Sequence, residues 1–171
     1  QGYYYADLAV KYLDEAYTGG IEASDLSEFR GMAASLLGDT GKAIEAFTQA
    51  LAANPSDFVL YAVAENYKKK GDIQNAKLYF FETIKKTGDA VLEVRCRNQL
   101  GLLLLDENKP EEALEQFNAV LEKNVNSADA HYGIGLVYEM RGDMIKARYE
   151  WRSAIRLNPI HAETRAKLNI N

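Results

Sequence analysis

The sequence from Ala128 to Pro159 reads ADAHYGIGLVYEMRGDMIKARYEWRSAIRLNP. Two segments with helical periodicity flank a Gly-Asp turn, and small residues stand at Gly135 and Ala147, twelve positions apart. Trp151 follows Ala147 by four positions, which is about one helical turn. The proline at the end of the stretch stops the second helix. The stretch therefore predicts two antiparallel helices joined by a short turn.

The spacing of these residues occurs four times along the chain. Each unit has a small residue in its second helix, a small residue twelve positions earlier in its first helix, and an aromatic residue four positions later. In chain order the three positions hold Gly31, Ala43 and Phe47; Ala64, Ala76 and Phe80; Gly101, Ala113 and Phe117; and Gly135, Ala147 and Trp151. Turns are expected at Gly38, Gly71, Asn108 and Gly142. The second-helix residues are 33, 37 and 34 positions apart, so an irregular connection is expected near residues 86–89.

Small residues at these positions let the backbones of two helices approach, and the aromatic residue fills the wider space beside the contact. One helix pair cannot bury its apolar face alone, so neighbouring pairs must stack. We therefore expect a single domain over residues 1–171. Its predicted parts are an N-terminal helix (1–20), four helix-pair repeats (24–56, 57–90, 91–127 and 128–159) and a C-terminal capping helix (160–171).

These repeats resemble the tetratricopeptide repeat family, most closely at residues 128–159 and next at residues 24–55. The resemblance implies an all-α, right-handed superhelical solenoid whose first helices line a concave groove. It also implies protein–protein interaction without catalysis. The chain departs from the family where the first helix commonly has a tryptophan. That position holds Ser27, Leu60, Arg97 and His131.

The charge and composition of the chain argue against several classes of protein. A net charge of −5 and a pI of about 5.1 disfavour nucleic acid as the main partner, since phosphate contacts need clustered lysine and arginine. No apolar run approaches the ~20 residues that span a bilayer, so we predict no membrane insertion. The single cysteine favours a reducing cytoplasm. Because the chain begins with Gln1 rather than Met, we expect a fragment or a processed form, and a periplasmic or membrane-anchored location stays open.

Two histidines and one cysteine are the residues to consider first for catalysis or metal binding. We expect His131 to be half-buried at a packing position and His161 to be exposed near a helix start. A metal site would need a third ligand beside Asp129 or Glu163, and no such spacing is present in the sequence. Cys96 could be a reactive thiol, but a lone helical cysteine is more often a packing residue. We therefore predict no catalytic residue, no metal and no cofactor.

The first helices leave a stripe of residues that face neither the partner helix nor the neighbouring repeat. In a tetratricopeptide-like stack this stripe lines the concave groove, so we predict that it binds the partner. The predicted groove residues are Phe29, Met32, Phe58, Tyr61, Glu65, Arg95, Asn98, Gln99, Leu102, Asp129, Tyr132, Leu136 and Met140. Alternatively, strong curvature could bury the large apolar members against one another.

Three functions are compatible with this pattern. The leading hypothesis is a scaffold that binds an extended or helical segment of another protein through apolar anchors, with one acidic group of the partner near Arg95. The alternative is a self-associating module that stacks through its terminal helices, because the unpaired N-terminal helix is rich in tyrosine. The third, an enzyme or a binder of small molecules or glycans, is disfavoured because the sequence lacks a catalytic set.

Overall fold

The computed structural model describes residues 2–20 and 25–170, with side chains from residue 5 onward. Within these ranges the chain forms ten α-helices and no strand. In chain order the helices are α1 (Gly2–Thr18), α2 (Leu26–Leu37), α3 (Thr40–Ala53), α4 (Asp57–Lys70), α5 (Ile73–Lys86), α6 (Ala90–Asp106), α7 (Pro110–Lys123), α8 (Ala128–Met140), α9 (Met144–Leu157) and α10 (Ala162–Leu168). The predicted start of the first repeat, at Ser24, lies outside the described residues.

Local side chains explain where many of these helices begin and end. At the start of α4, Ser56 Oγ accepts a hydrogen bond from the backbone N–H of Val59 at 3.3 Å. At the start of α6, Asp89 accepts from the backbone N–H of Val91 at 2.8 Å. The predicted turns are confirmed, because the chain reverses after α4 at Gly71 with a φ of 84°. The other three predicted turn residues also have positive φ.

Helix packing divides the chain into two compact units, Gln1–Lys86 and Thr87–Asn171, which we call the N-terminal and C-terminal units. Their boundary falls in the connection that the 37-residue interval identifies. In the N-terminal unit, each of α1 to α4 packs against the helix that follows it. In the C-terminal unit, each of α6 to α9 packs against the helix that follows it, and α6 also contacts α8. The predicted single domain and its repeat bounds stay a prediction.

In three of the four predicted helix pairs, the glycine of the first helix lies against the aromatic ring of the second helix, as predicted. The four aromatic side chains Phe47, Phe80, Phe117 and Trp151 are at most 1% exposed. A Cβ added at Gly135 would lie 2.2 Å from Nε1 of Trp151. The indole N–H of Trp151 donates to the carbonyl of Tyr132 at 3.3 Å. The glycine therefore admits a large ring between two closely packed helices, which positions the first helix on which candidate binding residues lie.

Two of the family's tryptophan positions carry polar residues that reach the second helix instead. The guanidinium of Arg97 donates to Oε1 of Gln116 at 3.0 Å. Nδ1 of His131 lies 2.7 Å from Oε2 of Glu150. His131 is half-buried, as the sequence predicts. In these two repeats, hydrogen bonds therefore link the helices where a tryptophan would pack.

Candidate functional site

A cavity of about 450 Å³ lies in the C-terminal unit between α6, α8 and the start of α10. Six predicted groove residues line it: Asn98, Gln99, Leu102, Asp129, Tyr132 and Leu136. The other two predicted residues of this unit, Arg95 and Met140, are exposed about one turn away on the same helices. The structure thus brings most of the predicted stripe of α6 and α8 together around one space. Their role in binding stays a prediction.

The expectation that His161 is exposed is wrong, because this side chain closes one end of the cavity and is 7% exposed. Its Nδ1 accepts the backbone N–H of Thr164 at 3.2 Å and thereby caps α10. Its Nε2 therefore carries the proton and donates to Oδ1 of Asp129 at 3.0 Å. Its ring also packs against Tyr132, with ring centroids 5.2 Å apart.

The repeat spacing contains a signal for His161 that the sequence interpretation missed. Ser127 is the residue that caps α8, and His161 stands 34 positions later in the equivalent place. By the same interval, Glu163 corresponds to Asp129, and Glu163 also lines the cavity. The repeat therefore continues one helix further than its glycine and aromatic positions indicate.

The cavity is acidic and contains an unsatisfied hydrogen-bond acceptor. Asp106, Asp129 and Glu163 place three carboxylates around it, and no lysine or arginine occurs among the described residues that line it. Burial raises the pKa of Tyr132, and the negative charges of Glu163 and Glu139 raise it further. Asn98 is 8% exposed, and its Oδ1 has no hydrogen-bond partner. The site is therefore suited to accept hydrogen bonds and positive charge.

The predicted groove residues of the N-terminal unit have different surroundings. Phe29 and Met32 line an open apolar cleft of about 790 Å³ between α1 and α2, together with Tyr5, Tyr12 and Leu36. Three predicted residues lie on α4 outside this cleft. They are Phe58, which is exposed, Tyr61, whose ring packs 6.0 Å from that of Phe80, and Glu65, which lies 3.9 Å from Nζ of Lys68. The cleft therefore involves only two of the five residues predicted here.

The last features to place are the single cysteine and any group of side chains that could bind a metal. Cys96 is fully buried, as expected of a packing residue. Within residues 2–20 and 25–170 there is no group of three or more His, Cys, Asp or Glu side chains that could hold a metal ion. No helix in the same ranges is both long enough and apolar enough to cross a bilayer.

Comparisons with known proteins identify the repeat. A sequence profile of the tetratricopeptide repeat matches residues 98–161, and a second profile of the same repeat matches residues 28–57. The chain belongs to the tetratricopeptide repeat (TPR) family. A comparison with curated proteins gives no match.

Solved structures share the fold over most of the chain. YrrB, described as a TPR protein with an unusual peptide-binding site, is 24% identical with a TM-score of 0.79, over 96% of this chain and 84% of YrrB. A MamA structure is 17% identical with a TM-score of 0.80, over 92% and 91% of the two chains. MamA from Desulfovibrio magneticus RS-1 is 18% identical with a TM-score of 0.77, over 92% and 88%. At such identities the likeness shows the fold, and the prediction of an all-α TPR solenoid is confirmed.

The TPR fold supports a protein–protein interaction scaffold in general, and TPR proteins are generally non-catalytic. Stacked helix pairs provide extended surfaces on which side chains from several helices converge. Protein partners are therefore the class of ligand that this fold suggests.

Proposed function

We propose that the chain is a non-catalytic scaffold that holds a peptide or helical segment of a partner protein in the cavity of the C-terminal unit. The observation that carries the proposal is the convergence of Asn98, Leu102, Tyr132 and Leu136 on one space from two first helices. Apolar side chains beside a few polar groups are the usual lining of a specific binding pocket. The similarity to YrrB, a TPR protein with a peptide-binding site, supports the same function.

The surroundings of the cavity favour binding over catalysis. His161 is the residue there best suited to act as a general base, but Thr164 and Asp129 occupy both of its ring nitrogens. No serine, cysteine or threonine occurs among the described residues that line the space, so a nucleophile for covalent catalysis is not at hand there.

Selection from phage that display random peptides tests the proposal. We expect the immobilised full chain to enrich peptides that the double variant Tyr132→Ala/Leu136→Ala does not retain. The matched control is Ile145→Ala/Tyr149→Ala, which removes two exposed apolar side chains from α9, outside the cavity. The control should retain the peptides. Circular dichroism and thermal melting establish that all three proteins are folded. Equal enrichment on the wild type and the cavity variant would contradict the proposal.

The apolar cleft between α1 and α2 favours a second candidate function, which is self-association with a second copy. In the C-terminal unit, α7 and α8 correspond to α1 and α2, and α6 packs against both of them. Between α1 and α2, Phe29 and Leu36 remain 52% and 62% exposed. A helix of another copy could cover this cleft, and the exposed apolar residues Ile160 and Ile170, which flank α10, suit the contact.

Light scattering over a range of concentrations tests self-association. The weight-average mass should rise with concentration, because a contact between two different surfaces adds copies without closing. Phe29→Glu/Leu36→Glu should suppress the rise, whereas the matched control Ile145→Glu/Tyr149→Glu should not. A mass that stays at that of one chain throughout would exclude this second function.

A further inference from the structure

We infer that the cavity of the C-terminal unit takes a basic side chain of the partner, an arginine, whose guanidinium donates to Oδ1 of Asn98. This assignment rests on the proposed function and identifies the chemistry of the segment that is bound. The opposite chemistry, an acidic group near Arg95, is the alternative that the experiment must separate.

The unsatisfied acceptor is the first observation. Asn98 is in the middle of α6, is 8% exposed and lines the cavity. Its Oδ1 receives no hydrogen bond from the protein. A buried acceptor without a donor is costly, and such groups are usually paired. A ligand group that donates a hydrogen bond to Oδ1 would satisfy this acceptor.

The charge around the cavity is the second observation. The carboxylates of Asp106, Asp129 and Glu163 surround the space, and the described lining residues include no cation to neutralise them. His161 donates one hydrogen bond to Asp129 through Nε2, but its Nδ1 accepts a hydrogen bond at the start of α10 and offers no second donor. A donor that enters this field is stabilised when it carries positive charge, and a carboxylate is repelled.

The shape of the donor is the third step. A guanidinium presents five N–H groups in a planar fork, so one group can serve Asn98 and carboxylates at once, which a single ammonium does less well. Leu102 and Leu136 offer apolar surface to the aliphatic stem of an arginine. The ring of Tyr132 also lines the cavity, and a guanidinium can stack on it.

Arg95 does not oppose this assignment, because it lies outside the cavity lining. It stands three positions before Asn98 on α6 and is exposed. An acidic side chain of the partner could meet Arg95 only beyond the cavity, where solvent screens the pair.

The experiment uses the peptides enriched by the phage selection, with Glu in place of Arg and with citrulline in place of Arg. Citrulline keeps the shape of arginine and removes its charge. We expect arginine to be enriched, and replacement by citrulline to weaken binding about tenfold or more, since a charged hydrogen bond is lost. Replacement by lysine should weaken binding less than citrulline does.

Variants of the full chain complete the test. Asn98→Leu should weaken the arginine peptide about as much as citrulline does, and Asn98→Asp should strengthen it. Glu163→Gln, on an exposed side chain, should weaken binding about threefold, given a partly screened charge. The matched control Glu122→Gln, on an exposed residue of α7 outside the lining, should not change it.

The outcomes separate the inference from the proposed function. Peptides that bind the cavity without arginine, or that bind equally with citrulline, overturn the inference and leave the scaffold function standing. A preference for glutamate would assign the site to an acidic partner and would also overturn it. No enrichment over the cavity variant contradicts the scaffold function itself.

Discussion

Each of the two units buries one asparagine in a first helix, and the two side chains serve different ends. In the N-terminal unit, Asn66 is 1% exposed, and its Nδ2 donates to Oγ of Ser35 at 3.1 Å and to the carbonyl of Ala62 at 2.8 Å. It thereby ties α4 to α2. In the C-terminal unit, Asn98 is almost as buried but borders a cavity. In both side chains Oδ1 is without a hydrogen-bond partner. The two asparagines therefore differ in their surroundings, since Asn66 ties two helices together and Asn98 borders a cavity.

The exposed surfaces of the two units differ in the same way. The cleft between α1 and α2 is apolar and open, whereas the cavity beside α6 and α8 is acidic and partly enclosed. Both border first helices, α2 in one unit and α6 and α8 in the other, whose glycines pack against an aromatic ring in the same way. The repeat therefore determines how the helices of a pair pack, but not the chemistry of the residues that face away from that contact.

The largest effect on stability is expected at a feature that both units share, the glycine packed against a buried aromatic ring. A Cβ at Gly31 would lie 2.5 Å from the ring of Phe47. Gly31→Ala and Gly135→Ala should each lower the free energy of unfolding by about 1–3 kcal/mol, because neither ring can move aside in a packed core. Urea denaturation measures the loss.

The matched control for the glycine prediction is Gly41→Ala, at the start of α3. A Cβ there would meet only Oδ1 of Asp39, at an ordinary 3.7 Å, so this variant should be neutral or slightly stabilising. Hydrogen exchange should show faster opening first in the unit that carries the harmful substitution. A Gly135→Ala protein as stable as wild type would contradict the packing that both units share.

The two asparagines give the next effect and the sharpest contrast between the units. Asn66→Ala should cost about 1–3 kcal/mol, because it removes a buried donor from two acceptors. Asn98→Leu should be neutral or stabilising, because it removes an acceptor that the folded chain leaves unpaired. Thermal and urea denaturation of both variants test the difference. A large destabilisation by Asn98→Leu would mean that this side chain serves the fold and not a ligand.

The ion pairs that join helices within each unit come third. Burial raises the pKa of Asp14, but hydrogen bonds from Lys42 and Arg30 outweigh it and hold this pKa below its ordinary value. In the C-terminal unit, burial likewise raises the pKa of Glu93, and Lys123 and Arg97 lower it further than burial raises it. Asp14→Asn and Glu93→Gln should each cost about 1 kcal/mol at neutral pH, given partial exposure to solvent.

The pH dependence of stability in these two variants tests whether the charge of the carboxylate is the cause. A carboxylate whose pKa is lowered by folding contributes stability above its unfolded pKa, at about pH 4, and loses it as the pH falls through the folded pKa. The difference in stability between each variant and the wild type should therefore shrink from pH 7 to about pH 2–3. A difference that stays constant over this range would show that the charge of the carboxylate is not the cause.

The smallest effect on stability is expected on the apolar cleft. Phe29→Ser/Leu36→Ser should change the free energy of unfolding by only about 0.5 kcal/mol, because both side chains are largely exposed. The same variant should lose most of the fluorescence of a bound apolar dye, and Tyr132→Ala/Leu136→Ala should lose little. Equal losses from the two variants would remove the contrast between an apolar and an acidic surface.

Much of the fold could be predicted because its physical causes are local in the sequence. The spacing of glycine, alanine and aromatic residues predicted four helix pairs, and Gly71 and Asn108 mark two of the turns. The stripe that includes Asn98 and Tyr132 followed from helical periodicity. The sequence alone could not predict that Oδ1 of Asn98 receives no hydrogen bond, since its pairing depends on which groups the neighbouring helices bring near it.

The sequence by itself determined the family, the helix pairs and the residues that the packing leaves free. The tertiary structure decided which of those residues meet, because a contact between α8 and α10 joins positions that are distant in the chain. His161 illustrates the difference. Its position after Pro159 marks a helix start, but only the folded chain places it against Asp129 and Tyr132, as the wall of an acidic cavity. The burial and charge of a site depend on several helices together, so neither can be predicted from a local sequence pattern.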